Sequence, residues 1–191
     1  MASAYRILPS PVRSGVSNSL DNLSSLVTIP NNVLQGEIKK AGIIGSGTMG
    51  GGIAMCFANA GIPVHIIDQD EENLKRGISV IEKNYDFMVG RGRLSAEQKD
   101  AVFGLVSSSL EYEDLSECDI VIEAVYENLE LKHEIFKSLD EHVKDGAILA
   151  SNTSGLNIDS IASVTKRPEK VCLLYTSPSP RDATLSRMPS S

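Results

Sequence analysis

The chain has 191 residues, 41% hydrophobic and 23% charged, with a formal net charge of −7 at neutral pH. That balance is that of a globular domain with its own hydrophobic core, and its negative excess argues against nucleic acid, whose phosphates it would repel. No apolar run approaches the roughly 20 residues needed to span a bilayer, and Cys56, Cys118 and Cys172 lack the spacing of a zinc site or a disulfide framework, so no metal is expected.

Residues 1–36 are rich in Ser, Asn and Pro and show no clean helical or strand period. The first twenty hold Arg6 and Arg13 and no acid, which fits a mitochondrial transit peptide and fits a disordered linker equally. From Ile38 the pattern sharpens. AGIIG, residues 41–45, reads as a short buried strand opening into glycines, and Thr48 to Ala60 as a helix with Met49, Ile53 and Phe57 on one face. Gly61, Ile62 and Pro63 break it, and VHIID, residues 64–68, is a second strand. Residues 71–89 place Leu74, Ile78, Ile81, Tyr85 and Met88 on one helical face. After a turn at 90–94, Ser95 and Gln98 match a capping box for another helix to about Leu105. DIVIEAV, residues 119–125, is a buried strand. Leu129 to Val143 is a helix burying Ile135, Phe136, Leu139 and Val143, and GAILAS, residues 146–151, is a further strand. Strands alternating with helices predict an α/β fold, a Rossmann-type doubly wound, mostly parallel sheet carrying an inserted helical hairpin.

The chemistry concentrates at Gly45-Ser46-Gly47-Thr48-Met49-Gly50, a GxGxxG run. Gly45 permits the tight turn, Gly47 removes a Cβ where a pyrophosphate must approach, and Gly50 lets the helix lie close to the sheet. Amides around Thr48 and Met49, at the positive end of the helix dipole, suit an anion. The run alone is weak, but it follows an apolar strand, opens a helix, and has Asp68 at the end of the next strand to accept hydrogen bonds from an adenosine ribose. Asp68 repels a 2′-phosphate, and Gln69 and Asp70 supply no arginine to bind one, so the cofactor expected is NAD.

GIIGSGTMGGGIA, IIDQDEENL, DIVIEAVYENLELKHEIF and ILASNTSGLNIDSIA occur in that order within residues 38–171. They resemble the 3-hydroxyacyl-CoA dehydrogenases of fatty-acid β-oxidation, in wording closest to the dehydrogenase part of multifunctional enzymes. The resemblance implies NAD-dependent conversion of (S)-3-hydroxyacyl-CoA to 3-oxoacyl-CoA, with an acyl-CoA as partner and no nucleic acid or membrane. It also implies an intact protein that is a homodimer or part of a multifunctional enzyme. It puts Glu127 near the nicotinamide ribose and Lys132 at a further cofactor contact; the alternatives are a surface carboxylate at a helix start for Glu127 and a solvated helix lysine for Lys132. Asn152 and Ser154 lie in the SNTS loop, where the family's serine hydrogen-bonds the substrate oxygen. The alternative for that loop is an Asx or ST turn that only shapes the backbone. The hairpin at 71–105 helps bind coenzyme A in the family. Lys75, Arg76, Lys83, Arg91 and Arg93 either meet its phosphates or form an ordinary solvated face. His65, His133 and His142 match no catalytic position.

The family's base is a histidine paired with a glutamate, in a G-x-H-F-F strand whose histidine falls here on Tyr175. The glutamate and the all-helical second domain have no counterpart. CLLYTSPSPRD, three variable residues and SRMPSS resemble the translation of a sequencing-library adapter. Residues 172–191 are therefore expected to be a non-native disordered tail, residues 37–171 the NAD-binding domain, and the polypeptide as written inactive. Two other readings stay open: a dehydrogenase of another β-hydroxy acid, and a genuine short non-catalytic NAD-binding module. Localisation is expected to be mitochondrial, with peroxisomal and cytoplasmic as alternatives.

Overall fold

Residues 38–174 are described by a computed structural model. In chain order they form β1 (Ala41–Ile44), α1 (Thr48–Asn59), β2 (Val64–Ile67), α2 (Glu71–Gly90), α3 (Ala96–Phe103), β3 (Val106–Ser109), β4 (Ile120–Glu123), α4 (Leu129–His142), β5 (Ile148–Ser151), α5 (Ile158–Ala162) and β6 (Val171–Leu173), with single 3₁₀ turns at Tyr112–Leu115 and Pro168–Lys170. The six strands form one sheet in the order β3-β2-β1-β4-β5-β6, and every pairing is parallel. That order is the dinucleotide-binding arrangement, with its crevice where β1 meets β4.

Strands buried on both faces need apolar side chains throughout, and here alternate residues feed two cores. Ile43, Ile66 and Ile122 pack under α1 and α2, with Ile53, Phe57, Leu74, Ile81 and Tyr85. Ile44, Ile67, Val121 and Leu149 face α4 and α5, with Ile135, Phe136, Leu139 and Ile161. The hairpin of α2 and α3 is joined edge to face through Tyr85 and Phe103, 6.3 Å apart, and α3 begins with the full Ser95–Gln98 capping box.

One sequence expectation needs correction, and two features go beyond what the sequence announces. Met49 is not part of the buried face of α1 but is 47% exposed, and small residues Gly50, Gly51 and Ala54 bring the helix onto the sheet in its place. VSSS at 106–109 forms β3, an edge strand that its polar composition does not announce. It is held by the parallel ladder to β2 and by His65, whose ring nitrogens lie 2.8 and 2.9 Å from Ser107 and Ser109 Oγ. The sheet also continues beyond Val171. Cys172 and Leu173 continue β6 beside β5, and Leu174 is buried, its amide donating to the Ser151 carbonyl at 2.8 Å. An edge strand is recruited by backbone hydrogen bonds and an apolar side chain, which these residues supply. Residues 1–37 and 175–191, with the expected leader or linker and most of the expected tail, lie outside the described residues.

The carboxyl end of α4 is closed by a side chain from a distant turn. Arg167 Nη2 donates to the carbonyls of Leu139 and Val143 at 3.2 and 2.7 Å, Nη1 to Lys144, and Nε to Asp140 Oδ1 at 3.0 Å. A planar five-donor fork can satisfy several orphan carbonyls at once, whereas an ammonium cannot match that geometry. We expect Arg167→Lys to lower the unfolding free energy by about 1–3 kcal/mol. The check is urea unfolding followed by circular dichroism, with the midpoint falling and the slope unchanged.

Candidate functional site

The parallel register lines up one row of residues at the carboxyl edge of the sheet, Ser109, Ile67, Ile44, Glu123, Ser151 and Leu173. The residues that follow these strands therefore open onto one rim. A cleft of about 700 Å³ lies there, lined by Gly45, Ser46, Gly47, Thr48, Asp68, Asn73, Arg76, Val125 and Tyr126 among others. That is the size of an ordinary small-molecule site, roughly 300–1,000 Å³.

Gly45 takes φ +99° to turn out of β1, and its amide donates to the Ile67 carbonyl at 2.9 Å. A Cβ on Gly50 would sit 1.8 Å from the Gly45 carbonyl oxygen, so α1 can begin this close to the strand only with glycine there. A Cβ on Gly47 would meet nothing, which leaves open space in front of the loop. The start of α1 is also chemically distinct. Its N-cap, Gly47, has no capping side chain and its first turn no acid. Every other α-helix among the described residues has both: α2 is capped by Asp70, α3 by Ser95, α4 by Asn128 and α5 by Asn157. The amides and dipole of α1 are thus left for an outside anion, as a pyrophosphate site requires.

Asp68 stands beside this loop and also braces it. Its Oδ2 accepts from the Ser46 amide at 2.8 Å and lies 2.6 Å from Ser46 Oγ, and its Oδ1 accepts from the Gln69 amide at 2.8 Å. The Ser46 hydroxyl, also 3.0 Å from the Asn73 carbonyl, gives its one proton to either acceptor. Ser46 rests on Gly77 of α2, where a Cβ would come within 2.5 Å of the Ser46 side chain. Sequence reasoning singled out neither Ser46 nor Gly77. Their signal was a buried serine inside the motif and a glycine within a strong helix.

On the other side of the crevice lies an arrangement that was read only in part. Glu123, the last residue of β4, has no exposed surface. Its Oε1 accepts from Lys132 Nζ at 2.6 Å and from the Val125 amide at 2.8 Å, and its Oε2 from Ser151 Oγ at 2.6 Å. Lys132 is likewise fully buried, and its Nζ lies 3.7 Å from Glu127 Oε2. Lys132 is therefore neither a solvated helix lysine nor a side chain open to the cleft. The other oxygen of Glu127 accepts from Thr153 Oγ1 at 2.5 Å and from the amides of Ser154 and Gly155 at 3.1 Å each. The Thr153 hydrogen bond is the main cause that holds the Glu127 carboxyl below the ordinary carboxylate range. Partial desolvation opposes it, and the Gly155 and Ser154 amides and Lys132 add to it. Ser154 is exposed at the rim, while the Asn152 amide donates to the Glu123 carbonyl at 2.8 Å. Thr153 Oγ1 also accepts from the Leu156 amide, so the SNTS segment is a turn shaped by its own threonine as well.

Of the remaining candidates Arg76 lines the cleft and donates to Asn73 Oδ1, whereas Lys75, Arg91, His133 and His142 stay apart from this rim. Lys75 pairs with Glu71 on the solvated face of α2, and the Arg91 guanidinium lies 4.4 Å over the Phe87 ring. His133 and His142 hydrogen-bond the carbonyls of Ser160 and Ser138.

The family described as "3-hydroxyacyl-CoA dehydrogenase, NAD binding domain" matches residues 40–180. A second family, "MlaA lipoprotein", matches residues 1–46, mostly outside the described residues. The chain is 42% identical over 132 residues to the 3-hydroxybutyryl-CoA dehydrogenase of Clostridioides difficile, covering 69% of this chain and 47% of that protein. It is 41% identical over 133 residues to the fatty acid oxidation complex subunit alpha of a Psychrobacter species, covering 70% of this chain and 18% of that one. The crystal structure of 3-hydroxybutyryl-CoA dehydrogenase from Escherichia coli superposes with a TM-score of 0.70 at 36% identity, covering 72% of this chain and 29% of that one. The chain thus spans about half the length, or less, of the relatives it matches. These relatives are bacterial and lend no support to a mitochondrial leader. No helix among the described residues is long and apolar enough to cross a membrane.

The contact between Gly45 and Gly50 makes a sharp expectation. Gly50→Ala forces a methyl against a backbone carbonyl and displaces the loop, so NADH affinity, followed by its fluorescence, should fall at least about tenfold. Gly146→Ala, in open space at an ordinary φ, should leave it unchanged.

Proposed function

The chain belongs to the 3-hydroxyacyl-CoA dehydrogenase family through its NAD-binding domain, and from that premise we propose that it is the cofactor half of an enzyme converting (S)-3-hydroxyacyl-CoA to 3-oxoacyl-CoA in fatty-acid β-oxidation. The observation that carries the reading is the pairing on one rim of an uncapped, acid-free helix start beside Asp68 with the Ser154 loop tied to Glu127.

The residues divide the work along the cleft. Amides of Gly47, Thr48 and Met49 hold the pyrophosphate at the start of α1. Asp68 accepts from the adenosine ribose hydroxyls on the oxygen edge that Ser46 and Gln69 leave open. Glu127 lies towards the nicotinamide ribose, and Asn152 towards the same half of the cofactor. Ser154 donates its hydroxyl to the substrate oxygen at C3. When bound, the nicotinamide supplies the hydride acceptor. The fit is supported by the open space before Gly47 and by the helix amides that no side chain occupies. The substrate proton must go to a general base, and where the family places its histidine this chain has Tyr175. The adapter-like wording of residues 172–191 supports a native gene that encodes histidine there. Association of the intact protein with other β-oxidation activities is supported by the likeness to the fatty acid oxidation complex subunit. The bacterial relatives favour a cytoplasmic setting.

One observation favours the alternative of a short non-catalytic NAD-binding module. Cys172, Leu173 and Leu174 fit the sheet edge and its core. Sequencing the gene and an independent transcript across codon 171 separates the two. A frame running into a G-x-H-F-F segment supports the dehydrogenase, and Leu173-Leu174-Tyr175 in both templates supports the module.

Two outcomes test the chemistry. With acetoacetyl-CoA, the chain as written should oxidise NADH at least about 10²-fold more slowly than the Clostridioides difficile relative, since a general base alone contributes about 10²–10⁴. A comparable rate would refute the missing base. The double change Asp68→Ala with Gln69→Arg should move binding preference from NAD towards NADP, because it removes the carboxylate that repels a 2′-phosphate and adds a guanidinium to pair with it. An unchanged preference would sink the assignment of Asp68.

A further inference from the structure

Two ions without exposed surface, Glu123 and Lys132, sit behind the Ser154 loop. We infer that Glu123 and Lys132 form a buried positioning pair that fixes the Glu127 carboxylate and, through it, the backbone that presents Ser154. The inference rests on the reading of that rim as the reacting end of the site.

The argument follows the bonds. Glu123 is anchored where three elements meet. Its backbone pairs with Ile44 and Ser151, its Oε2 takes the Ser151 hydroxyl, and its Oε1 takes the Val125 amide. That leaves it rigid, with one site on Oε1 for a cation, and Lys132, one turn into α4, fills it at 2.6 Å. A buried carboxylate without such a partner would protonate or drag water in. With Glu123 matched, the ammonium still has charge to share, and Glu127 Oε2 is 3.7 Å away. Glu127 is the one member of the three with exposed surface, its side chain 39% exposed. Its two oxygens have different partners, Oε2 the buried ammonium and Oε1 three donors from Thr153, Ser154 and Gly155. Without Lys132 the Glu127 carboxylate would have a second acid behind it and solvent in front, and water would compete for it. The three donors would then lose their common acceptor. Lys132 thus acts on the loop at one remove, and Glu123 at two.

The test uses the whole 191-residue chain, labelled with ¹⁵N, and amide exchange read residue by residue. Truncating one partner alone risks leaving an unpaired buried charge, so the informative variant is the neutral pair Glu123→Gln with Lys132→Met. Replacing both ions together is often tolerated by the fold. In it, amides of β1 and β4 should keep their protection, while exchange at Ser154 and Gly155 should rise at least about tenfold through local opening. Lys132→Arg with Glu123 unaltered, which keeps the cation, should retain most of that protection. Glu127→Ala should reproduce the loss with the pair intact. Unchanged exchange at Ser154 and Gly155 in the neutral pair, or an equal rise across the whole sheet, would overturn the inference. An NADH titration of the unaltered chain keeps the two readings apart. Absence of NADH binding with the local exchange effect intact defeats the cofactor reading and leaves the positioning pair. Binding without the exchange effect does the reverse.

Discussion

A carboxylate buried at the carboxyl end of a central strand is costly unless every oxygen is matched, and around Glu123 the domain meets that demand with groups from three elements. The match with Ser151 links β4 to β5, and the match with Lys132 fixes the first turn of α4 against the sheet. Together they set where the chain leaves both strands, and so where the rim of the cleft stands. On the opposite side of the crevice an analogous device uses Asp68, which pulls the amide and hydroxyl of Ser46 to the end of β2 and thereby fixes the turn into α1. Each half of the crevice therefore has one acid that shapes the loop through which the neighbouring strand or helix presents its polar groups.

The two acids differ in what they leave available. Asp68 is only partly buried and keeps part of its acceptor capacity towards the cleft, which suits a residue that braces a loop and meets a ribose. Glu123 is wholly spent on the protein, and Lys132 links it to Glu127, whose side chain is the partly exposed one. Electrostatics follow the same division. The start of α1 carries no acid and no cap, so its field is reserved for an anion, whereas the other helices spend theirs on their own side chains. A site assembled this way is preorganised before any ligand arrives, because the bonds that shape it are internal.

Much of this could be read from the residues alone, for reasons that are local. Apolar four-residue strands, the Ser95–Gln98 box and the faces of α2 and α4 report their own structure, because burial on both sides of a sheet or one side of a helix leaves a period. The glycine run and Asp68 were legible because spacing and context coincide. What escaped depends on partners distant in sequence. β3 has no apolar period and exists through the ladder to β2 and the bonds from His65. α5 is five residues long, too short for a pattern. Lys132 reads as a surface lysine until the fold brings Glu123 beneath it, and Glu123 hides within an apolar strand as a single acid. The helical period points Met49 inward, but the glycines around it let the helix turn its narrow side to the sheet. Residues 1–37 and 175–191 lie outside the described residues.

The central claim is that this chain presents a dinucleotide site whose anion subsite is the bare start of α1 and whose ribose subsite is Asp68. Isothermal titration calorimetry of the unaltered 191-residue chain with NAD⁺ and with NADP⁺ tests it most directly. The account predicts saturable one-to-one binding of NAD⁺ and binding of NADP⁺ at least about tenfold weaker, a difference of about 1.4 kcal/mol. No heat of binding with NAD⁺, or equal affinity for the two, would contradict it.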